Sequence, residues 1–103
     1  MPIFKRTISD ELIKATFYLS RSDKAKLKKA ISFCESAHVG QFRKTGEPYS
    51  NHPINVALIC AGWRLDVEAL VAGLLHDTVE DTATSLHSIS NLYGDKVAEL
   101  VDG

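Results

Sequence analysis

Two histidines and three acidic residues in the second half of the chain have the side-chain types that bind divalent metal ions. His52 stands directly before a predicted helix, and the pair His76-Asp77 follows a strongly apolar stretch. The pair Glu80-Asp81 comes shortly afterwards. Imidazole nitrogens and carboxylate oxygens are the usual ligands of Mn²⁺, Fe²⁺ and Zn²⁺. Because a bound dication would also offset the like charge of three neighbouring carboxylates, the pattern predicts a metal site.

The adjacency of His76 and Asp77 restricts where such an ion could lie. Neighbouring side chains on a regular helix point about 100° apart. We therefore expect the helix to end at this pair, so that its backbone leaves helical geometry and both side chains reach one ion. The alternative interpretation is an exposed helix end that carries ordinary charges.

Helical periodicity extends along the whole chain, and no segment shows the alternation typical of a β-strand. The sequence therefore predicts an all-α bundle of about six helices. We expect the first helix to begin at Ser9, the second to extend from Ser22 to Gly40, and the third from Pro53 to Gly62. The fourth is expected to begin at Asp66. The fifth is expected between Ser85 and Gly94, and the sixth between Asp95 and Val101. An ordered loop around Gly46 and Pro48 precedes the third helix.

Length and composition exclude several classes of protein. The chain has 103 residues, of which 45% are hydrophobic and 24% charged, with a formal net charge of −1. These values fit one globular domain. No apolar run approaches the roughly 20 residues that span a bilayer, so we expect no membrane partner. The near-neutral charge argues against duplex nucleic acid as a partner. Cys34 and Cys60 form no Cys-x-x-Cys pair, which predicts reduced thiols in a cytoplasmic protein.

Two segments together resemble a known family. They are HVGQFRKTGEPYSNHP from His38 to Pro53, and LLHDTVEDT from Leu74 to Thr82. In this order they are similar to the N-terminal hydrolase domain of the RelA/SpoT alarmone enzymes, which belong to the HD superfamily of metal-dependent phosphohydrolases. The resemblance runs from about Leu19 to Gly103, and residues 59–63 are most similar to the long bifunctional synthetase/hydrolase members.

The resemblance implies a role for each acidic and histidine residue of the motifs. His52, His76 and Asp77 match three ligands of a Mn²⁺ ion. Glu80 and Asp81 match an acidic pair that positions and activates the attacking water. The implied reaction removes the 3′-pyrophosphate from guanosine tetra- or pentaphosphate in the stringent response, giving GDP or GTP and pyrophosphate.

The same resemblance predicts a nucleotide site beside the metal. Arg43 and Lys44 match basic residues near the bound guanine nucleotide, although both could be ordinary loop charges. Tyr49 could stack on the base or pack against its own loop. We expect His38 to be a buried, hydrogen-bonded histidine rather than a ligand, because it lies on the apolar face of its helix. His87 is expected at the surface.

The family pattern also includes features that fall beyond Gly103. A fourth metal ligand, an aspartate, lies on a later helix in the family. We therefore expect a truncated domain with an incomplete metal site. We expect this chain alone to bind Mn²⁺ more weakly than in the sub-micromolar range and to have little or no activity. We also expect Leu70, Val71 and Leu74 to need cover from self-association or a rearranged helix, and Trp63 to pack in the core.

Two other functions are compatible with these residues. One is a non-catalytic helical module that binds a partner or regulates a longer homologue. The other is an HD hydrolase that acts on a different nucleotide. The Arg43-Lys44 pair and the loop that follows it favour the alarmone as substrate.

Overall fold

A computed structural model of the chain describes residues 7–82 and 84–102, with the side chains of Glu80 and Asp81 outside the described part. Its six helices are α1 (Ile8–Ala15), α2 (Arg21–Ala37), α3 (Asn51–Gly62), α4 (Val67–Asp81), α5 (Leu86–Tyr93) and α6 (Asp95–Asp102). The described residues contain no named strand, and an isolated bridge joins Phe42 to Pro48. The predicted all-α architecture is confirmed. None of the helices in the described ranges is both long and apolar enough to cross a membrane.

Side-chain caps begin α4 and α5, at the two positions where the sequence predicted them. The Asp66 carboxylate accepts a hydrogen bond of 3.0 Å from the backbone N–H of Ala69 at the start of α4. The Ser85 hydroxyl accepts one of 3.1 Å from Ser88 at the start of α5. Each bond satisfies a backbone donor that the first helical turn leaves unpaired. Gly94 ends α5, as predicted.

The predicted starts of the first two helices are wrong by two residues. Thr7 caps α1, because its hydroxyl accepts from the N–H of Asp10 while the Asp10 carboxylate accepts from the N–H of Thr7. This reciprocal pair is a capping box, which Ser9 cannot form from inside the helix. Ser20, rather than Ser22, caps α2.

The ends of α2 and α3 also differ from prediction. α2 ends at Ala37, before Gly40, because the chain already turns at His38, its C-cap. α3 begins at Asn51 instead of Pro53, since hydrogen bonds from Asn51 and His52 back to the loop start its first turn. α3 then includes Gly62. The left-handed turn after it is made by Arg64, whose φ is 58°.

Helix α4 forms the centre of the molecule. It packs against α2, α3 and α6, and its Leu70, Val71 and Leu74 are fully buried. The expectation that these residues need self-association for cover is therefore wrong, because they are buried within the single chain. The chain's own helices supply the cover, with Val97 and Val101 of α6 contributing to the same core.

Trp63 does not pack in the core. Its side chain is 72% exposed, because residue 63 is the C-cap of α3 and lies at the end of the helix rather than along its buried face. Ile59, one turn earlier on α3, is exposed as well. The Arg64 guanidinium lies 4.6 Å from the ring centroid of Phe17, a distance typical of a cation–π contact.

The buried Cys34 predicts a loss of stability at alkaline pH. Cys34 and Cys60 are both free thiols, and Cys34 is fully buried on α2. Burial, with smaller contributions from the charges of Glu35 and Asp77, raises the pKa of the Cys34 thiol from 9.0 to about 12. Above pH 9 the unfolded chain loses this proton and the folded chain keeps it. The free energy of unfolding therefore falls as the pH rises from 9 toward 12, with a limiting slope of about 1.4 kcal/mol per pH unit.

Urea unfolding at about pH 8 and about pH 10 measures this slope. Cys34→Ala should flatten it, whereas Cys60→Ala, a control at a half-buried thiol on α3, should not. Equal slopes in the two variants would contradict the assignment to Cys34.

Candidate metal centre

The packing of α3 against α4 brings the three predicted metal ligands together. His52 is the second residue of α3, and His76 and Asp77 lie on α4. One carboxylate oxygen of Asp77 is 3.7 Å from Nε2 of His52. The other is 3.2 Å from Nδ1 of His76. Asp77 therefore contacts both imidazoles, and the three side chains form a cluster that we call the triad.

The helix does not end at the triad, contrary to our expectation. α4 continues with regular geometry to Asp81, four residues beyond Asp77. The two adjacent side chains nevertheless contact each other, with Nδ1 of His76 3.2 Å from a carboxylate oxygen of Asp77. Contact between the His76 and Asp77 side chains therefore does not require the helix to end at this pair.

The triad is open to solvent on its histidine side. The side chains of His52 and His76 are 46% and 59% exposed, compared with 19% for Asp77. In this arrangement Asp77 contacts each histidine, and the three side chains do not form a closed ligand shell. Among side chains that the structure describes, no group of three His, Cys, Asp or Glu is arranged to hold a metal ion. The donor types themselves, two imidazoles and a carboxylate, fit a divalent transition metal.

A cleft of about 460 Å³ lies beside the triad. The triad lines this cleft together with small or apolar residues of α3, α4 and α6, namely Pro53, Val56, Ala69, Ala72, Gly73 and Leu100. This volume is in the range of small-molecule sites. The triad therefore supplies the titratable side chains of a cleft whose other lining residues are small or apolar.

The predicted catalytic pair, Glu80 and Asp81, lies in the last turn of α4. Positions three and four residues after Asp77 fall on the same helix face as Asp77. The side chains of both residues are outside the described part of the structure, so their catalytic roles stay predictions.

The loop before α3 carries the two predicted nucleotide-binding cations. The N–H of Arg43 donates to the Glu47 carbonyl at 2.9 Å, and the N–H of Gly46 donates to the Arg43 carbonyl at 2.8 Å. Gly46 has a φ of 91°, which allows the tight turn at the tip. Arg43 and Lys44 are both exposed. The ordered loop is thus confirmed, with its two cations free to meet solvent.

Tyr49 belongs to this loop, and its ring is close to the rings of both His38 and His52. The Tyr49 ring is half-buried, with its centroid 5.0 Å from that of His38 and 6.5 Å from that of His52. His38 is only 2% exposed, which confirms the prediction of a buried, hydrogen-bonded histidine. His87 is exposed, as predicted.

Sequence reasoning missed Thr78. Its side chain is fully buried, and its hydroxyl lies 3.4 Å from Nε2 of His38. The signal was present in the helical spacing, since the buried residues Leu74 and Leu75 precede Thr78 by about one turn on the same helix. A polar residue at such a buried position requires a partner.

The profile of the family described as HD domain matches residues 30–103. The chain therefore belongs to the HD-domain family, whose hydrolases are metal-dependent. Among known proteins, it is 45% identical over 86 residues to the bifunctional (p)ppGpp synthase/hydrolase SpoT of Escherichia coli (strain K12), covering 84% of this chain and 12% of that protein. It is 38% identical over 101 residues to a guanosine-3′,5′-bis(diphosphate) 3′-pyrophosphohydrolase of Borreliella burgdorferi, covering 98% of this chain and 14% of the relative.

A solved structure supports the same relationship. A metazoan ortholog of SpoT, described as hydrolysing ppGpp, aligns with a TM-score of 0.71 and 36% sequence identity over 76% of this chain and 46% of that chain. The resemblance to the RelA/SpoT hydrolase domain is thereby confirmed. This chain spans only about an eighth of the length of the curated relatives described above.

Proposed function

We propose that this chain forms the metal- and nucleotide-binding part of a hydrolase that removes the 3′-pyrophosphate from guanosine tetra- or pentaphosphate. The products would be GDP or GTP and pyrophosphate. The observation that carries the proposal is that Asp77 contacts both His52 and His76 and that all three line one cleft. The names of the relatives supply the substrate class.

In this proposal His52, His76 and Asp77 hold Mn²⁺. The ion, when bound, lowers the pKa of a water molecule and polarises a phosphoryl oxygen. Asp77 supplies the negative charge of the set and contacts both imidazoles. Glu80 and Asp81, on the same helix face, would orient the attacking water and take its proton.

The exposed cations of the loop would hold the nucleotide. Arg43 and Lys44 supply positive charge for the phosphates, and Arg43 can bind two phosphate oxygens at once. Tyr49 would line the path between this loop and the triad, since its ring already lies next to His52. The loop leads directly into α3, so it positions the cations at the same end of the helix as the first ligand.

Removing both loop cations should weaken nucleotide binding. We expect Arg43→Ala with Lys44→Ala to lower the affinity for ppGpp by roughly 10- to 100-fold, because hydrogen bonds between charged groups and phosphate are lost. Isothermal titration with ppGpp measures the effect. The control is Arg21→Ala with Lys28→Ala, which removes an equally exposed Arg and Lys from α2 and should leave affinity within about twofold. Equal losses in both double variants would indicate only a general charge effect.

The proposed function is tested by comparing ppGpp with GDP, which lacks the 3′-pyrophosphate. With Mn²⁺ present, the chain should bind ppGpp more tightly than GDP, and chelation of Mn²⁺ should remove the difference. Pyrophosphate release is then measured for this chain and for a longer chain that continues after Gly103 with the corresponding residues of the E. coli relative. Equal binding of both nucleotides, or release from other nucleotides but not from ppGpp, would contradict the proposal.

A further inference from the structure

His38 is a buried histidine whose two ring nitrogens both contact polar side chains. It is the C-cap of α2 and is 2% exposed. Nδ1 lies 3.0 Å from the side-chain oxygen of Gln41. Nε2 lies 3.4 Å from the hydroxyl oxygen of Thr78. Neither the metal ligands nor the nucleotide loop accounts for this arrangement.

The partners of His38 assign its ring protons. The tautomer that satisfies both contacts has the proton on Nδ1, which donates to the Gln41 side-chain oxygen, because an amide oxygen can only accept a hydrogen bond. Nε2 then accepts from the Thr78 hydroxyl, which is able to donate. This assignment follows from the hydrogen-bonding partners and can be observed directly.

These contacts join three segments of the site. His38 lies at the end of α2, Gln41 lies in the loop, and Thr78 is the residue after Asp77 on α4. The ring of His38 also packs at 33° against Tyr49, whose ring meets His52 nearly edge-on. From inside the fold, His38 therefore contacts Thr78, which follows Asp77 in the sequence, and Tyr49, whose ring lies next to that of His52.

We propose that His38 is a positioning residue for the triad. Through Thr78 it sets the rotation of α4 at Asp77, and through Tyr49 it supports the ring of His52. Through Nδ1, which contacts the side chain of Gln41, His38 holds the loop before α3 in a fixed position relative to the triad. A purely structural role would not require a polar side chain here, because burying one is unfavourable unless all its polar atoms are paired. The effect of His38 on metal binding and catalysis rests on the function proposed above, whereas its contacts with Gln41, Thr78 and Tyr49 do not.

The test uses Thr78→Val, which removes the hydroxyl and keeps the side-chain shape. Long-range ¹H–¹⁵N NMR of the unsubstituted chain should show His38 with its proton on Nδ1. In the variant, the ring resonances of His52 and the amide resonances of residues 41–49 should shift. The affinity for Mn²⁺ should fall by roughly 10-fold, as for other partners that orient metal ligands.

A matched substitution separates positioning from stability. Thr16 is also buried, and its hydroxyl donates to the carbonyls of Leu12 and Ile13 at the end of α1. Thr16→Val should leave the His52 ring, the loop amides and Mn²⁺ affinity unchanged. His38→Gln can place an amide oxygen where Nε2 accepts from Thr78, so it should retain His52 resonances better than His38→Asn, which reaches only the Nδ1 position.

Several results would overturn the proposal. These are a His38 proton on Nε2, unchanged His52 and loop resonances in Thr78→Val, equal shifts in Thr16→Val, or no difference between His38→Gln and His38→Asn. If Thr78→Val fails to fold, the NMR measurement of the His38 tautomer and the comparison of His38→Gln with His38→Asn still test the proposal. If the unsubstituted chain binds no Mn²⁺ and no ppGpp, the proposed function fails, and the NMR measurements test the positioning role independently.

Discussion

Asp77→Asn is expected to remove nearly all metal binding. Asn has the size of Asp but no negative charge, and Asp77 is the group that contacts both histidines of the triad. Residues that merely orient metal ligands change affinity by about 10- to 100-fold, so loss of an anionic ligand should cost about 100-fold or more. The measurement is the electron paramagnetic resonance signal of free Mn²⁺ during titration. Any pyrophosphate release by a longer chain should disappear together with binding.

The control for this prediction lies on the same helix. Asp66→Asn makes the same chemical change at the N-cap of α4, where Asn and Asp cap about equally well. Metal affinity should therefore stay within about twofold. If Asp77→Asn binds Mn²⁺ like the unsubstituted chain, the triad is not the metal site. If both variants lose affinity equally, the effect comes from net charge and not from ligation.

The residues of the triad could be selected from the sequence as candidate ligands, but their contacts could not be predicted. His52 and the His76-Asp77 pair were recognisable from residue type and from the motifs around them. The end of α4 was placed too early, because the prediction treated the side chains as rigid projections from the helix. The Asp77 and His76 side chains contact each other while the helix continues through them to Asp81.

Helix boundaries were likewise only partly predictable from the sequence. Asp66 was identified as the cap of α4 and Ser85 as the start of α5, and the structure places an N-cap at each. Near α1, by contrast, several residues could cap, and the choice depends on the reciprocal bond between Thr7 and Asp10. Trp63 was misplaced for a related reason. The left-handed Arg64 redirects the chain directly after it, and no apolar pattern encodes that turn.

Leu74→Ala is expected to have the largest effect on stability. Leu74 is fully buried on α4, the helix that packs against α2, α3 and α6. Truncating a buried leucine costs about 2–5 kcal/mol, through lost apolar contacts and the cavity that remains. A small domain has only about 5–15 kcal/mol of stability, so the variant should unfold at much lower urea concentration. Ile59→Ala removes a 59% exposed side chain from α3 and should change stability by less than about 0.5 kcal/mol.

Metal binding and the core should then be coupled through α4. His76 and Asp77 follow Leu74 on the same helix, so only the folded chain presents the triad. Mn²⁺ at about 100 times its dissociation constant should stabilise the fold by about 2.7 kcal/mol, a large part of the loss caused by Leu74→Ala. We therefore expect Mn²⁺ to raise the urea midpoint of Leu74→Ala, and to have no such effect when Asp77→Asn is added. Equal stabilisation with and without Asp77 would mean that the ion binds elsewhere. A Leu74→Ala variant as stable as Ile59→Ala would mean that α4 is not the centre of the core.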